Sequence, residues 1–153
     1  MRQAARAIVV KDNQLLVMRR QKFGQEYDTL PGGNVSISAS AEESLVKELF
    51  EETSINVSNP RLVFVEHAGD PYGDQLIYKC DYEGGEPAVQ PDSDEAKLNE
   101  MGQNIHTPLW VSLEELANAD ALPFRSERLK WHIIDVEANG YSDEIVEFWP
   151  AHD

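Results

Sequence analysis

The sequence predicts an α/β domain, and three observations lead to that class. Short runs rich in branched and aromatic residues, typical of strands, lie on both sides of an amphipathic segment in mid-chain. That segment has helical spacing, and a second helical pattern lies near the end of the chain. Alternation of strands with helices favours a sheet covered by helices. With 153 residues the chain can bury the core of a single domain, which we expect to span residues 1–153.

The predicted strands are separated by segments rich in turn residues. They cover residues 5–10, 15–18, 61–66, 75–82 and 107–111, with a short strand at 145–149 in the tail. Residues 11–14 are typical of a tight turn, so the first two strands are predicted to form a hairpin. The loop 67–74 contains Gly and Pro and joins the third strand to the fourth. We expect His67, at the start of this loop, to be structural.

Two further helices are predicted in the second half of the chain. Ser112 and Glu115 have the Ser-x-x-Glu spacing of a capping box, in which side chains satisfy free backbone donors at a helix start. Residues 125–136 have helical spacing with one apolar face. His132 lies on that face, and we therefore expect it to be a core residue.

Composition and charge limit the class of partner. The formal net charge of −15 argues against a nucleic-acid polymer as the main partner, because a phosphate backbone attracts basic surfaces. A small phosphorylated substrate stays possible, since a divalent cation can invert the local field. The single cysteine, Cys80, cannot form an internal disulfide and lies in an alternating apolar run, which is typical of a core residue in a reduced, cytoplasmic protein.

No targeting or membrane segment is expected. The apolar run at residues 4–10 is interrupted by Arg6 and is too short for a signal peptide. No run approaches the roughly 18 apolar residues of a membrane span. We therefore predict a cytoplasmic protein that does not associate with a membrane.

The most informative stretch begins at Pro31-Gly32-Gly33, where the glycines are predicted to let the backbone turn tightly. Ser40 and Glu43 then form a capping box, which predicts that a helix starts there. The apolar positions of this helix share one stripe and are Leu45, Val46, Leu49 and Phe50.

Three carboxylates follow on the same helix: Glu48, Glu51 and Glu52. At about 100° per residue they fall in an arc beside the apolar stripe rather than opposite it. Like charges at this spacing repel, unless a cation lies between them. Clustered carboxylate oxygens suit Mg²⁺ or Mn²⁺. The alternative is an ordinary acidic helix face that points to solvent.

Residues 33–55 resemble the signature of the Nudix hydrolases. The family pattern is a glycine, five residues, a glutamate, seven residues, and then Arg-Glu-apolar-x-Glu-Glu-x-Gly-apolar. The positions that match are Gly33, Glu48, Leu49, Glu51, Glu52 and Ile55. Residues 110–116 also resemble the segment that closes many Nudix domains. The resemblance extends more loosely over residues 5–136 and implies an α/β/α sandwich around a mixed β-sheet.

Three positions depart from the signature. Ala39 replaces a glutamate, Lys47 an arginine and Ser54 a glycine. In the family the glutamate and the arginine commonly support one another, and here both are replaced. None of the three departures removes Glu48, Glu51 or Glu52. Ser54 is expected to end the helix in a left-handed conformation, which costs a non-glycine residue about 1 kcal/mol. These departures leave open a degenerate Nudix module that binds a nucleotide or a partner without turnover.

The resemblance implies metal-dependent hydrolysis of the diphosphate linkage in a nucleoside diphosphate derivative: an ADP-ribose-like compound, a nucleotide sugar or a nucleoside triphosphate. Glu48, Glu51 and Glu52, with the carbonyl of Gly33, would hold Mg²⁺ or Mn²⁺ and carry the catalysis. Glu52 is the leading metal ligand. Lys47 would orient the helix or contact a phosphate. A homodimer is possible, as in relatives whose pocket is built by two subunits.

Two other segments supply candidate site residues. Arg19, Arg20 and Lys22 form a basic cluster that either contacts substrate phosphates or solubilises a strand end. Phe23 and Tyr27 could hold a base, although packing is the expected role. The acidic segment 83–101 is predicted to be a long loop with one helical turn at 94–99, and long loops are often functional. Its candidates for a general base are Asp94, Glu95 and Glu100.

Overall fold

The computed structural model describes residues 3–35, 40–91, 94–102 and 104–149, without the side chains of residues 94 and 95. The strands are β1 (Gln3–Ile8), β2 (Val10–Lys11), β3 (Gln14–Lys22), β4 (Gln25–Thr29), β5 (Gly32–Asn34), β6 (Asn56–His67), β7 (Asp74–Gly84), β8 (Asn104–Ser112) and β9 (Val146–Phe148). The helices are α1 (Ala41–Thr53), α2 (Asp94–Met101), α3 (Leu113–Leu116) and α4 (Glu127–Asn139). Within the described residues, no helix combines the length and the hydrophobicity that a membrane-spanning helix requires.

The strands form sheets of mixed direction. In one sheet the order is β5-β1-β7-β6-β9, with β1 parallel to β7 and β6 parallel to β9. The β1–β5 and β6–β7 pairs are antiparallel. In the other sheet β3 pairs antiparallel with β2, β4 and β8. This arrangement confirms the predicted α/β class with a mixed sheet.

Successive strand residues point to opposite faces and enter two apolar cores. On β1, Ala7 packs in the core that contains Leu45 and Leu49 of α1. Its neighbour Ile8 packs in the core that contains Leu129 of α4. Helices therefore cover both faces of the strands, as expected for an α/β/α sandwich.

Most predicted elements are confirmed; β6, β7 and β8 are longer than the sequence indicated, and β9 is shorter. The predicted strands at 61–66, 75–82, 107–111 and 145–149 correspond to β6, β7, β8 and β9. The helical turn at 94–99 corresponds to α2, and the helix at 125–136 to α4. Cys80 is buried in the α1 core, and burial raises the pKa of its thiol to about 12. His132 packs against Phe148 with ring centroids 4.5 Å apart, which fits the predicted core role.

The predicted hairpin between 5–10 and 15–18 is largely wrong. Only Val10 and Lys11 pair with β3, and the turn that joins them is as predicted, with Asp12 and Asn13 at positive φ. β1 leaves the hairpin and runs parallel to β7. Ala4, Ala5, Ala7 and Ile8 are all buried, which is the pattern of an inner strand covered on both faces.

The glycine turn before α1 is also revised, because Gly32 and Gly33 belong to strand β5. Gly32 has φ +140°, and a Cβ built there would lie 2.0 Å from the carbonyl oxygen of Ala5. Glycine is therefore required because β5 approaches β1 closely, in a backbone conformation that other residues rarely adopt. Strand β4 was likewise not anticipated by the sequence analysis.

Candidate active site

Helix α1 begins as the capping box predicts and is fixed by its apolar face. The hydroxyl of Ser40 accepts a hydrogen bond from the backbone N–H of Glu43 at 3.1 Å. Leu45 and Leu49 are buried against the strands. This anchoring places the carboxylate edge of α1 at the boundary of the core: Glu52 is 8% exposed, whereas Glu51 lies in solvent.

Two of the three predicted carboxylates converge on Gly33. The backbone N–H of Gly32 donates to Oε2 of Glu52 at 3.1 Å. A methyl group built on Gly33 would lie 3.3 Å from Oε2 of Glu48 and 3.9 Å from Oε1 of Glu52. The missing side chain of Gly33 thus leaves a space bordered by carboxylate oxygens. Glu51 is exposed one residue before Glu52, beside this space rather than in it.

A cavity of about 150 Å³ opens next to Glu52, and its lining includes the cationic residues Arg6 and Arg20 together with polar and apolar residues. Arg6 lines it and donates from Nη1 to the carbonyls of Leu30 (3.2 Å) and Gly32 (3.4 Å). Arg6 therefore fixes the backbone that carries the two glycines. It was not among the predicted site residues, because it becomes adjacent only through the pairing of β1 with β5.

Arg20 and His106 form the opposite wall of the cavity, as paired residues of β3 and β8. Arg20 donates from Nη2 to Oδ1 of Asn104 at 2.6 Å. Its Nε, like Nδ1 of His106, is buried with no hydrogen-bond partner within the described parts of the chain. Burial, with the nearby charge of Arg20, lowers the pKa of His106 to about 4, so the imidazole is neutral at pH 7.

Unpaired buried polar atoms are uncommon, and an unbound ligand is one of their ordinary causes. Two residues that carry such atoms, Arg20 and His106, line the cavity that also contains Glu52. A phosphate oxygen is an acceptor that suits the free Nε of Arg20. His106 was missed by sequence reasoning, because strand β8 was predicted without its register against β3.

The other predicted basic residues lie elsewhere. Arg19 occupies the face of β3 opposite Arg20 and forms a two-pronged ion pair with Asp28, at 2.8 and 3.0 Å. This hydrogen bonding raises the pKa of Arg19. Lys47 is exposed on α1. The structure therefore brings Arg20, and neither Arg19 nor Lys47, into the cavity beside Glu52.

Helix α2, which carries the candidate bases, is attached to the strand that contains His106. Asn99 donates from Nδ2 to the His106 carbonyl at 2.9 Å and accepts from the His106 N–H at 2.6 Å. Glu100 is exposed on this helix. The side chains of Asp94 and Glu95 lie outside the described residues, although their backbone belongs to α2.

Ser54 ends α1 in the left-handed conformation, at φ 63°, and its side chain forms compensating bonds. Its hydroxyl donates to the Ala88 carbonyl at 2.6 Å and accepts from Nε2 of Gln90 at 2.6 Å. The departure from glycine thus costs backbone strain but ties the following loop to the helix end. Ala39, another departure, lies outside the described residues.

The residues at Gly33 fit a hard divalent cation. Two carboxylates and a backbone carbonyl are the oxygen donors that Mg²⁺ and Mn²⁺ prefer. Across the described ranges no three His, Cys, Asp or Glu side chains are already arranged to hold a metal ion. The candidate ligands that the structure brings together are Glu48, Glu52 and Gly33. Glu51 is close enough in sequence to be a further ligand.

Several known proteins resemble this chain in sequence. The NUDIX domain model matches residues 1–132. The NAD-capped RNA hydrolase NudC of Pseudomonas entomophila is 31% identical over 109 residues, which are 71% of this chain and 36% of the relative. The ADP-ribose pyrophosphatase of Methanocaldococcus jannaschii is 30% identical over 103 residues, which are 64% of this chain and 61% of the relative. The chain thus spans about a third of the first relative and under two thirds of the second.

Solved structures show the same fold. The crystal structure of an ADP-ribose pyrophosphatase from Streptococcus suis superimposes with a TM-score of 0.65 at 22% identity, covering 96% of this chain and 98% of the other. A MutT protein from Bacillus halodurans gives 0.63 at 21% identity, covering 97% and 90%. Together with the match over residues 1–132, these likenesses show that the chain belongs to the Nudix family.

Proposed function

We propose that this protein hydrolyses the diphosphate linkage of a nucleoside diphosphate derivative with the help of Mg²⁺ or Mn²⁺. The observation that carries the proposal is the convergence of Glu48 and Glu52 on Gly33, beside a cavity lined by Arg6 and Arg20. Carboxylates that hold a cation, facing arginines that bind anions, form an arrangement suited to a substrate with two linked phosphates.

The chain's own residues divide the work by position. Glu52 and Glu48, with the Gly33 carbonyl, would hold the cation, and Glu51 would join them. A bound cation supplies neutralisation of negative charge on the diphosphate oxygens. Arg20 would donate its free Nε to a phosphate oxygen. Neutral His106 stands beside it and keeps the wall of the cavity polar without a further charge.

The proton acceptor is proposed to come from the carboxylates of the site itself or from α2. The Asn99 bonds hold α2 against His106, so Asp94, Glu95 and Glu100 belong to the helix nearest this wall of the cavity. Lys47 stays a candidate for contact with the outer part of the substrate. Arg19 is paired with Asp28 on the opposite face of β3, so Arg20 is the better candidate for a phosphate contact.

The names of the two relatives favour a nucleotide joined to a second group. One is called an ADP-ribose pyrophosphatase and the other an NAD-capped RNA hydrolase. The net charge of −15 favours a small nucleotide over an RNA chain. We therefore propose ADP-ribose-like compounds first, followed by nucleotide sugars and nucleoside triphosphates, for a cytoplasmic protein in which two copies could associate.

Chromatographic separation of nucleotide products tests the proposal. The panel contains ADP-ribose, NAD, a nucleotide sugar and a nucleoside triphosphate, each with Mg²⁺ or Mn²⁺. Wild type is compared with Glu52→Gln, which keeps an acceptor for the Gly32 N–H, and with Glu114→Gln, which removes an exposed carboxylate on α3.

We expect one class of substrate to be cleaved by wild type and Glu114→Gln, and this activity to be lost in folded Glu52→Gln. Absence of cleavage across the panel, with nucleotide binding retained, would instead favour a degenerate module that binds without turnover.

A further inference from the structure

The turn between β3 and β4 carries an aromatic residue where neither conformation nor packing favours one. Phe23 and Gly24 connect the strands at φ 49° and 83°. Two-residue turns with positive φ at both positions prefer Asn or Gly, and a bulky side chain there is strained. The side chain of Phe23 is also 75% exposed, so the prediction that its role is packing is wrong. Strain retained without burial is typical of a functional position.

Phe23 borders a groove of about 780 Å³. Tyr27 and Tyr72 also line it, together with the charged residues Lys22, Arg125 and Glu26. Tyr72 is 47% exposed. A surface of aromatic rings with cationic neighbours suits a planar ring that carries negative charge nearby, since rings stack and cations bind the phosphate.

Arg125 holds one side of this groove. Its Nη2 donates to Oε1 of the buried Glu66 at 2.8 Å, and its guanidinium carbon lies 5.0 Å from the centre of the Tyr72 ring. Its Nε is buried and has no hydrogen-bond partner in the described segments. The groove therefore combines stacking surfaces with a donor suited to an acceptor on the edge of a heterocyclic ring.

The groove adjoins the cavity that contains Glu52. Tyr27 lines the groove and Thr29 lines the cavity, and alternate residues of β4 share one face about 7 Å apart. A second connection runs through Gln75, which accepts from Arg6 Nε at 3.1 Å and donates to the Tyr72 carbonyl at 2.9 Å. A ligand with its phosphates beside Arg6 can thus extend towards Tyr72.

A cavity of about 640 Å³ on another side of the same turn is a poorer candidate. Phe23 and Ile105 line it, and Glu26 lines both this cavity and the groove. Among the described residues this cavity has no cationic lining residue, whereas Lys22 and Arg125 offset Glu26 in the groove, so the cavity disfavours a phosphorylated ligand. The aromatic and cationic groove is therefore the better match.

We propose that the groove binds the planar base of the nucleotide substrate, stacked on Phe23 and Tyr72, with Arg125 Nε donating to an acceptor on the ring. The proposal rests on the proposed function, because it assumes that the diphosphate lies beside Glu52. It adds that the substrate is recognised by its base, and that the β3–β4 turn supplies this recognition.

Direct binding tests the groove without requiring turnover. Calorimetry measures Kd for the monophosphates of adenosine, guanosine, cytidine and uridine, and for ribose 5-phosphate, which has the same sugar phosphate without a base. The variants are Phe23→Asn, which suits the positive φ, and Tyr72→Leu. Trp131→Ala is the control, because Trp131 is an exposed ring on α4 outside the groove.

We expect at least one monophosphate to bind wild type more tightly than ribose 5-phosphate does. Phe23→Asn and Tyr72→Leu should each raise the Kd for that nucleotide about 10-fold or more and leave the Kd for ribose 5-phosphate unchanged. The control Trp131→Ala should bind both ligands as wild type does. Phe23→Asn should also raise Tm, since it relieves the strained turn.

The proposal is overturned if no nucleoside monophosphate binds better than ribose 5-phosphate. It is also overturned if both variants bind the preferred monophosphate as wild type does. If the substrate panel is cleaved while both variants bind nucleotide as wild type does, the base-binding groove is refuted and the hydrolase proposal stands. If binding depends on the base but no substrate is cleaved, the groove stands and the hydrolase proposal is refuted.

Discussion

Two buried glutamates, Glu66 and Glu52, have similar burial and different surroundings. Glu66 is 0% exposed, and its oxygens are bonded by Arg125 and by the hydroxyl of Ser126. Glu52 is 8% exposed, accepts a bond from Gly32 and shares the space at Gly33 with the carboxylate of Glu48. Burial alone therefore does not distinguish the role of Glu66 from that of Glu52.

Their neighbours do separate them. A cation and a hydroxyl beside Glu66 compensate a buried charge and attach the start of α4 to β6, which is a structural role. A second carboxylate beside Glu52 adds repulsion, and the adjoining cavity contains unpaired polar atoms of Arg20 and His106. Two neighbouring carboxylates beside an arginine with an unpaired Nε are the groups that the proposed cation and diphosphate would contact.

The largest expected effect follows from Glu52→Gln. The amide keeps an acceptor for the Gly32 N–H and removes one of two neighbouring negative charges. Turnover should therefore fall about 100-fold or more, while Tm stays equal or rises. Product formation and differential scanning calorimetry measure the two quantities. A fall in Tm of several degrees with turnover intact would give Glu52 the structural role instead.

The matched change at the other residue is Glu66→Gln. It leaves Arg125 inside the protein without its counter-charge, so the free energy of unfolding should fall by about 3 kcal/mol. Urea denaturation measures the loss. Turnover at a temperature where the variant is folded should fall far less than in Glu52→Gln. Equal stability of Glu66→Gln and wild type would contradict the role assigned to this pair.

Acid should weaken the site region through His106. Its pKa is lowered to about 4 in the folded protein, below the ordinary value of 6.5, so the unfolded chain takes up a proton first. The free energy of unfolding is then lost as pH falls from about 6.5 to about 4. Denaturation across this range should show a shallower decline for His106→Gln. Parallel curves for the two proteins would disprove the assignment.

His67, at the end of β6, should make the stability depend on pH in the opposite direction and by a smaller amount. Hydrogen bonds that its ring nitrogens donate to the carboxylates of Glu147 and Asp74 raise the pKa of His67, so its protonated form stabilises the fold below pH 6.5. That contribution disappears as pH rises through the raised pKa. His67→Gln should thus cost more stability at pH 5.5 than at pH 8.5. We would abandon this interpretation if the cost were greater at the higher pH.

The smallest effects concern Ser54. Ser54→Gly removes the strain of the left-handed residue but also the bonds to Ala88 and Gln90, so the net change should be within about 1 kcal/mol. Ser54→Ala keeps the strain and loses the bonds, and should destabilise by about 1 kcal/mol. Thermal denaturation of the two variants side by side measures the difference. A large gain in stability for Ser54→Gly would show that the hydroxyl compensates nothing.

Much of the site could be predicted because its signals are local. The capping box at Ser40, the apolar stripe and the spacing of Glu48, Glu51 and Glu52 all lie within one helix. Periodicity and spacing fix which residues of a helix share a face. The exposure of Glu51, however, depends on how α1 packs on the strands, and spacing does not decide that.

The parts that escaped prediction depend on pairing between distant strands. His106 reaches the cavity only because β8 pairs with β3 in the register that places it opposite Arg20. Arg6 reaches it because β1 joins β5 and β7 rather than the expected hairpin. Register across long separations is set by the whole sheet, and a local pattern carries no information about it.

Titration with Mn²⁺, followed by the electron paramagnetic resonance signal of the free ion, tests the central claim that Glu48 and Glu52 form a cation site. Wild type is compared with a variant carrying Glu48→Gln and Glu52→Gln, and with one carrying Glu114→Gln and Glu115→Gln, which makes the same change of charge on α3. We predict that the first variant loses Mn²⁺ affinity by at least about 10-fold and that the second binds as wild type does. Equal affinity in all three proteins would contradict the account.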